Sequence, residues 1–260
     1  MQTTAVVNYH VKQTAPQAFY FDVDGIEGNL VSPELVPTQV SVQDLRTADP
    51  PTEFGRDGIT FTHHSTAVAS FRPDACWQET YDLELEHLLR QTVGAREVLV
   101  FDHTVRVDDA SATRKPARNV HNDYSVSGAR QRLADIVGCE RAQEFEAGHY
   151  GFVNVWRPVE HAIETSPLGF VRPSSTQAED WMDIELIYPD RRGQILGLAA
   201  NPAHEWFYLS RMTPDEVAIF NIHDNRGRPF LGHSALDMQD GNSSKLPRKS
   251  IESRTLVRYR

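Results

Sequence analysis

The sequence predicts a mainly β fold: a double-stranded β-helix, or cupin-like jelly roll, with flanking α-helices. Three observations carry that expectation. Six strand-like segments follow residue 150, and Gly and Pro punctuate them at roughly the 8–12-residue rhythm of a sandwich or barrel. Helical patterns come first and strands follow, the order expected when helices pack outside a β core. The chain has 260 residues, 40% of them hydrophobic, enough for one all-β unit with a sizeable core. A single domain is therefore expected over 1–260, with 97–260 as the jelly-roll core.

Residues 1 to about 58 read as an irregular N-terminal segment wrapping that core. Ala18–Phe21 is strand-like, Asp22–Gly28 reads as a turn, and Pro33, Pro37, Pro50 and Pro51 interrupt the remainder of the segment. Gly58–Val68 is rich in Thr, Ile and Phe and reads as extended. The clearest helix spans Gln78–Val93, because Tyr81, Leu85, Leu88 and Leu89 share one face while Glu79, Glu84, Glu86 and Arg90 take the other. Glu97–Val107 is a strand and the polar stretch Asp108–Ala117 a loop. Val126–Val137 has the pattern of a second helix, stopped by Gly138. The remaining strands are expected at Gly151–Trp156, Met182–Tyr188, Gln194–Leu198, Glu205–Leu209, Val217–Ile222 and Ser250–Tyr259. Thr213-Pro214-Asp215-Glu216 has the form of a capping box, but the short β-branched run after it predicts one turn leading into a strand.

The formal charge of −10 at pH 7, with no basic block, disfavours a nucleic-acid partner. Cys76 and Cys139 lack metal-type spacing and are expected to be free thiols in a reducing compartment. Residues 1–14 have neither a basic nor an apolar leader pattern, and no apolar run approaches the ~18 residues of a membrane span. A cytoplasmic protein acting on a small molecule is the expectation.

The chemistry centres on Asn119-Val120-His121-Asn122-Asp123-Tyr124-Ser125. In an extended Val120–Tyr124, His121 and Asp123 point to the same side. An imidazole and a carboxylate so placed take two corners of a metal ion. A later histidine completes the facial triad of non-haem Fe(II) oxygenases and leaves other corners for exchangeable ligands. His-x-Asp alone is not specific: eleven histidines in a chain with 36 acids among 260 residues give about 1.5 such pairs by chance. Position adds weight. The pair precedes the main run of strands, and His233 lies next to a late strand 112 residues on. Arg254, within the last strand, can form a bidentate pair with the distal carboxylate of a dicarboxylic co-substrate, with Arg248 and Arg258 as competitors for the role. Among the other histidines, His63-His64 has no acid at ligand spacing. His149, His161 and His223 read as surface or hydrogen-bonding residues, and the aromatic run after His204 reads as core.

These stretches resemble the CmcJ/AsaB-like family of Fe(II)/2-oxoglutarate-dependent oxygenases, which includes cephamycin-pathway and gibberellin-desaturase relatives. The matching segments are Val100–Arg106, Val120–Asp123 with Ser127–Arg130, Val153–Pro158, Ile187–Asp190, Asn201–Glu216, Gly232–Ala235 and Glu252–Arg254, spanning about residues 58–260. The resemblance implies that His121, Asp123 and His233 hold the iron and that Arg254 holds 2-oxoglutarate. It also draws attention to Asn154 and Trp156, which share a strand face. Facing inward, Asn154 would hydrogen-bond the co-substrate and Trp156 would wall the pocket; otherwise they are a satisfied core amide and a core tryptophan. His103 and Arg106 either line the substrate side or are buried polar residues with partners. Two departures, Ser234 where threonine is expected and Phe220-Asn221-Ile222-His223 where lysine is more common, leave the ligands untouched.

The activity implied is oxidation of an unactivated C–H bond of a small molecule by O2, with 2-oxoglutarate converted to succinate and CO2, in natural-product biosynthesis. Hydroxylation, desaturation and ring closure are all open. The competing classes are a cupin-like metalloenzyme that uses no 2-oxoglutarate and a non-catalytic jelly-roll binding module.

Overall fold

The structure is a computed structural model and describes residues 2–26, 29–47, 51–239 and 246–260. Residues 27–28 of the expected Asp22–Gly28 turn, and Pro50, lie outside that set. The elements in chain order begin with β1 (Gln2–His10), β2 (Gln17–Phe21), β3 (Leu30–Val31), β4 (Leu35–Asp44), α1 (Phe54–Asp57), β5 (Ile59–His63), α2 (Gln78–Thr92) and β6 (Glu97–Val107). Next come β7 (His121–Asn122), α3 (Val126–Val137), α4 (Cys139–Ala147), β8 (Tyr150–Pro158), β9 (Leu168–Val171), β10 (Trp181–Ile187) and β11 (Arg192–Leu198). The chain ends with β12 (Trp206–Tyr208), β13 (Glu216–Asp224), β14 (His233–Ala235), β15 (Asp237–Met238) and β16 (Lys249–Arg258).

Two sheets face each other as a jelly roll. The smaller runs β5-β13-β8-β16-β6, and the larger β15-β1-β4-β12-β9-β14-β7-β11-β10-β2-β3. Strand alternation sorts their side chains. On β8, Phe152 and Trp156 point between the sheets, into a core shared with Phe170 and Phe207 of the large sheet and Leu133 of α3. Val153 and Val155 point the other way, onto Tyr81, Leu85, Leu88 and Leu89 of α2. That helical face is the one the sequence predicts.

The N-terminal segment differs from the expectation of short irregular pieces. β1 and β4 pair antiparallel over nine residues and form part of the large sheet. Pro37 does not break β4, for a local reason. Its partner Asn8 turns its N–H to Arg118 O and its C=O to Val120 N, away from β4. The Asn8–Pro37 pair is thus a non-hydrogen-bonded one, and a missing N–H at Pro37 costs no ladder bond.

Two further differences are small. The strand expected around His121 shrinks to two residues, because Tyr124 and Ser125 lead directly into α3, whose Gly128 N–H donates to the Ser125 hydroxyl at 3.0 Å. Gly138, at φ 79°, ends α3 as expected, but the chain then enters α4 rather than a strand. The Thr213–Glu216 turn forms as read, with Thr213 N–H donating to Glu216 Oε2 at 2.9 Å.

β1 also reaches the centre of the molecule. His10, its last residue, packs on Gly197 of β11, where an added Cβ would lie 2.7 Å from His10 Cδ2 and 2.8 Å from Ile184 Cγ1. Gly197→Ala is expected to lose about 1–3 kcal/mol of stability by overpacking; urea denaturation measures it, and an unchanged midpoint would refute the close approach.

Candidate metal centre

Sheet register builds the site. β14 and β7 run antiparallel with His233 directly opposite His121, so the two imidazoles stand side by side, their ring centroids 4.5 Å apart. Asp123 follows β7 and turns inward against both. Its Oδ1 lies 3.4 Å from His121 Nε2 and 3.6 Å from His233 Nε2. One donor atom from each of the three residues falls within 4.8 Å of the others. Adjacent ligands of an ion with bonds of about 2.1 Å sit about 3 Å apart, so Asp123 Oδ1 is about half an ångström from ligand spacing to each imidazole nitrogen.

The donors are pre-oriented. His121 Nδ1 lies 2.8 Å from the carbonyl of Asn119, and His233 Nδ1 3.4 Å from that of Leu231. In both cases a carbonyl two residues back takes the Nδ1–H and leaves the Nε2 lone pair facing Asp123. The other oxygen of Asp123, Oδ2, accepts from Asn154 Nδ2 at 2.9 Å and Arg254 Nε at 3.0 Å. One carboxylate oxygen is thus tied back and the other is left for a cation. Burial alone would push this carboxyl up. The Arg254 charge overrides that and holds it well below the usual carboxylate range.

Arg254 itself is engaged on every nitrogen. Besides Asp123, Nη1 donates to Asp102 Oδ2 at 2.6 Å and Thr104 Oγ1 at 3.2 Å, and Nη2 lies 2.5 Å from Glu252 Oε1. Asp102 reaches it through an irregularity in β6. Opposite Arg254 and Thr255, the pairing jumps from Asp102 to Val100, leaving Phe101 as an extra residue. Leu99 and Phe101 pack against the inter-sheet core, and after the bulge Asp102 and Thr104 face inward as well. His103 is therefore turned outward. It bonds Asp82 and Ser253, each at 2.8 Å, and packs on Trp77 and Tyr81. His103 is thus half-buried and held by partners of its own. The period-two rule without a bulge would put it inside.

Arg248 contrasts with Arg254. It is 2% exposed, and no ion pair among the described residues includes it. Its Nε lies 3.0 Å from Ser250 Oγ, its Nη1 2.8 Å from Ser166 O, and its Cζ 5.0 Å from the Trp156 ring centroid. Burial pushes its pKa down to about 9. Trp156 is buried on the inner face, and its Nε1 has no hydrogen-bond partner among the described residues. Glu252 and Asp108 act on Arg248 only from a distance, and a cation with no carboxylate in contact beside an unpaired N–H is a cradle suited to an anion. Arg258 lies elsewhere, over Phe145 of α4.

His10 is a functional neighbour that the sequence reading missed. It is buried, with Nε2 3.5 Å from the Asn119 amide whose backbone carbonyl orients His121. No local motif marks it, since only the β1–β11 approach brings it there. The other histidines stand apart: His64 on Arg157, His149 on Asp224, His204 between Asp180 and Tyr9.

Comparison with known proteins agrees with this geometry. The family model described as "Oxidoreductase/YMDC permease-like domain" matches residues 7–258. The hydroxylase/desaturase efuI of Hormonema carpetanum is 30% identical over 248 residues, covering 84% of this chain and 82% of its own length. The chain belongs to this oxidoreductase family, the non-haem Fe(II)/2-oxoglutarate-dependent oxygenases. The α-ketoglutarate-dependent dioxygenase phiK of Fungal sp. is 27% identical, covering 91% of this chain and 89% of phiK. In fold, the iron and α-ketoglutarate-dependent endoperoxidase NvfI superposes with a TM-score of 0.86 at 20% identity, covering 99% of this chain and 98% of NvfI. As a family member the oxygenase uses Fe(II), 2-oxoglutarate and O2. No helix among the described residues is long and apolar enough to cross a membrane.

The burial of His10 has a pH consequence. Burial, with the His121 charge second, pushes its pKa down from 6.5 to about 4. The unfolded chain then binds the proton more readily, so stability falls as pH drops from about 6.5 towards 4. At 1.36 kcal/mol per pH decade the loss reaches about 3 kcal/mol. Denaturation of the metal-free protein across that range should show this slope, and His10→Asn should flatten it.

Proposed function

We propose that this oxygenase oxidises an unactivated C–H bond of a small natural-product-like molecule, with His121 Nε2, Asp123 Oδ1 and His233 Nε2 as the iron ligands. The convergence of those three donors on one point carries the reading. Iron and 2-oxoglutarate, when bound, supply the oxidising chemistry, in which O2 is consumed and the keto acid leaves as succinate and CO2. The chain supplies placement. Asn154 and Arg254 keep Asp123 to a single ligating oxygen, so three protein ligands leave room for exchangeable ones. Glu252, Asp102 and Thr104 fix Arg254 in turn. Trp156 and Phe220 keep water from one side.

We assign the distal carboxylate of 2-oxoglutarate to Arg248, with Ser250 and the free Trp156 N–H beside it. Arg254, the residue expected from sequence to take this role, already has three carboxylates around it. None is in ion-pair contact with Arg248, where Glu252 and Asp108 act only from a distance, and an anion there supports the charge that burial opposes. Arg254 then serves as the residue that positions Asp123, and Asn154 as its neighbour in that task.

The test is anaerobic titration of the Fe(II) protein with 2-oxoglutarate, following the weak visible charge-transfer band of the chelate. Asp123→Ala should bind no stoichiometric iron. Arg248→Ala should keep iron but raise the 2-oxoglutarate requirement by about 30-fold or more, since losing one partner of a buried charged pair costs about 2–5 kcal/mol. Arg254→Ala should weaken iron binding instead. If Arg254→Ala retains iron and raises the 2-oxoglutarate requirement while Arg248→Ala leaves it unchanged, the anchor is Arg254.

A further inference from the structure

The inner face of β8 presents Phe152, Asn154 and Trp156 in succession, about 7 Å apart along the strand. Asn154 marks the metal ligands and Trp156 the anion cradle, so Phe152 marks the opposite side of the centre. There the ring of Tyr124, the residue after Asp123, lies 4.9 Å from Phe152, and Phe101 stands edge-on to Phe152 at 5.9 Å. Leu99, Phe101 and Tyr124 are half-buried hydrophobics at the margin of the core, and β6, which carries two of them, is half-exposed along its whole length. Leu99, Phe101 and Tyr124 therefore keep part of their apolar surface in solvent, packed on the buried Phe152 ring.

One cation overlooks this apolar face. Arg132, on the second turn of α3, places its Cζ 4.9 Å above the Phe101 ring. Its side chain also bears on the Tyr124 hydroxyl, which Asp123 and Arg254 influence from the other side. No ion pair among the described residues includes Arg132. With one donor directed to the Tyr124 hydroxyl, a guanidinium over an aromatic ring keeps further edge donors for a carboxylate.

We propose that the half-buried apolar face of Leu99, Phe101 and Tyr124, backed by Phe152, receives the substrate, an apolar ring-bearing small molecule with a carboxylate that Arg132 receives. This rests on the oxygenase reading of the metal centre and adds the substrate class to it. The apolar body lies against the aromatic walls on the Phe152 side of the iron ligands, away from the co-substrate cradle. Arg132 fixes which end of the molecule points outward and hence which carbon is presented to the metal.

The test uses a matched pair of probes, 1-naphthaleneacetate and its methyl ester, titrated calorimetrically into the anaerobic Fe(II) protein at saturating 2-oxoglutarate. Saturation keeps the acid off Arg248. The acid should bind at least about tenfold more tightly than the ester, as expected for a bidentate charge-assisted pair. Arg132→Gln should bring the two affinities together by weakening the acid alone, Arg132→Lys should keep part of the preference, and Phe101→Ala should weaken both probes. A wild type that binds neither probe or shows no preference overturns the proposal, as does an Arg132→Gln variant that keeps the preference. The 2-oxoglutarate charge-transfer band, recorded before any probe is added, separates the two levels. Its absence in the wild type defeats the oxygenase reading, whereas a normal band with an unaltered acid preference in Arg132→Gln defeats only this one.

Discussion

Everything at the centre depends on one cross-strand register: His233 facing His121 between β14 and β7. Side chains on a sheet change face with every residue, so a slip of one position would send one imidazole to the opposite face and dissolve the cluster. β14 is three residues long and β7 two, too short to fix that register alone. Their neighbours do so. β9 pairs with β14 at three positions, and β11 pairs with β7 at two. The Nδ1 contacts to Asn119 and Leu231 then set ring orientation once register has set ring position.

A second constraint is the bulge in β6. An extra residue in an edge strand is cheap, because only one ladder is disturbed. Here it changes which residues face inward midway along the strand. Before it, Leu99 and Phe101 supply apolar surface; after it, Asp102 and Thr104 supply acceptors for Arg254. One strand thus contributes an apolar wall and a polar brace. The displaced His103 becomes a clamp between α2 and β16 through Asp82 and Ser253.

Much of this was legible in the sequence, and the rest was hidden for physical reasons. Long periodic elements declare themselves: Glu97–Val107 and Val126–Val137 match their observed bounds, and the apolar face of α2 is the one that packs. The three clustered donors were readable because strand alternation puts i and i+2 on one face. The N-terminal strands were obscured because Pro37 counts against a strand until the pairing shows its N–H site to be unused. His103 was ambiguous because a bulge has no composition of its own. Arg254 on β16 and Arg248 just before it fall on one side by the period-two rule, and sequence could not rank them. What separates them is which neighbours carry charge, a property of three strands together.

That ranking rests on electrostatics more than on distance. A fourth carboxylate brought to Arg254 would join Asp123, Asp102 and Glu252 around one guanidinium. At an effective dielectric constant of about 20, two like charges 4 Å apart repel by about 4 kcal/mol, so each such neighbour offsets what the arginine would contribute. At Arg248 the balance reverses. Its desolvation is already part of the cost of the fold, and with no carboxylate in contact with it among the described residues an incoming anion competes only with the more distant Glu252 and Asp108. The two arginines stand six residues apart, Arg248 just before β16 and Arg254 within it, and their surroundings suit different tasks. The compensated one steadies a ligand of the metal, and the uncompensated one is placed to receive a charge from outside.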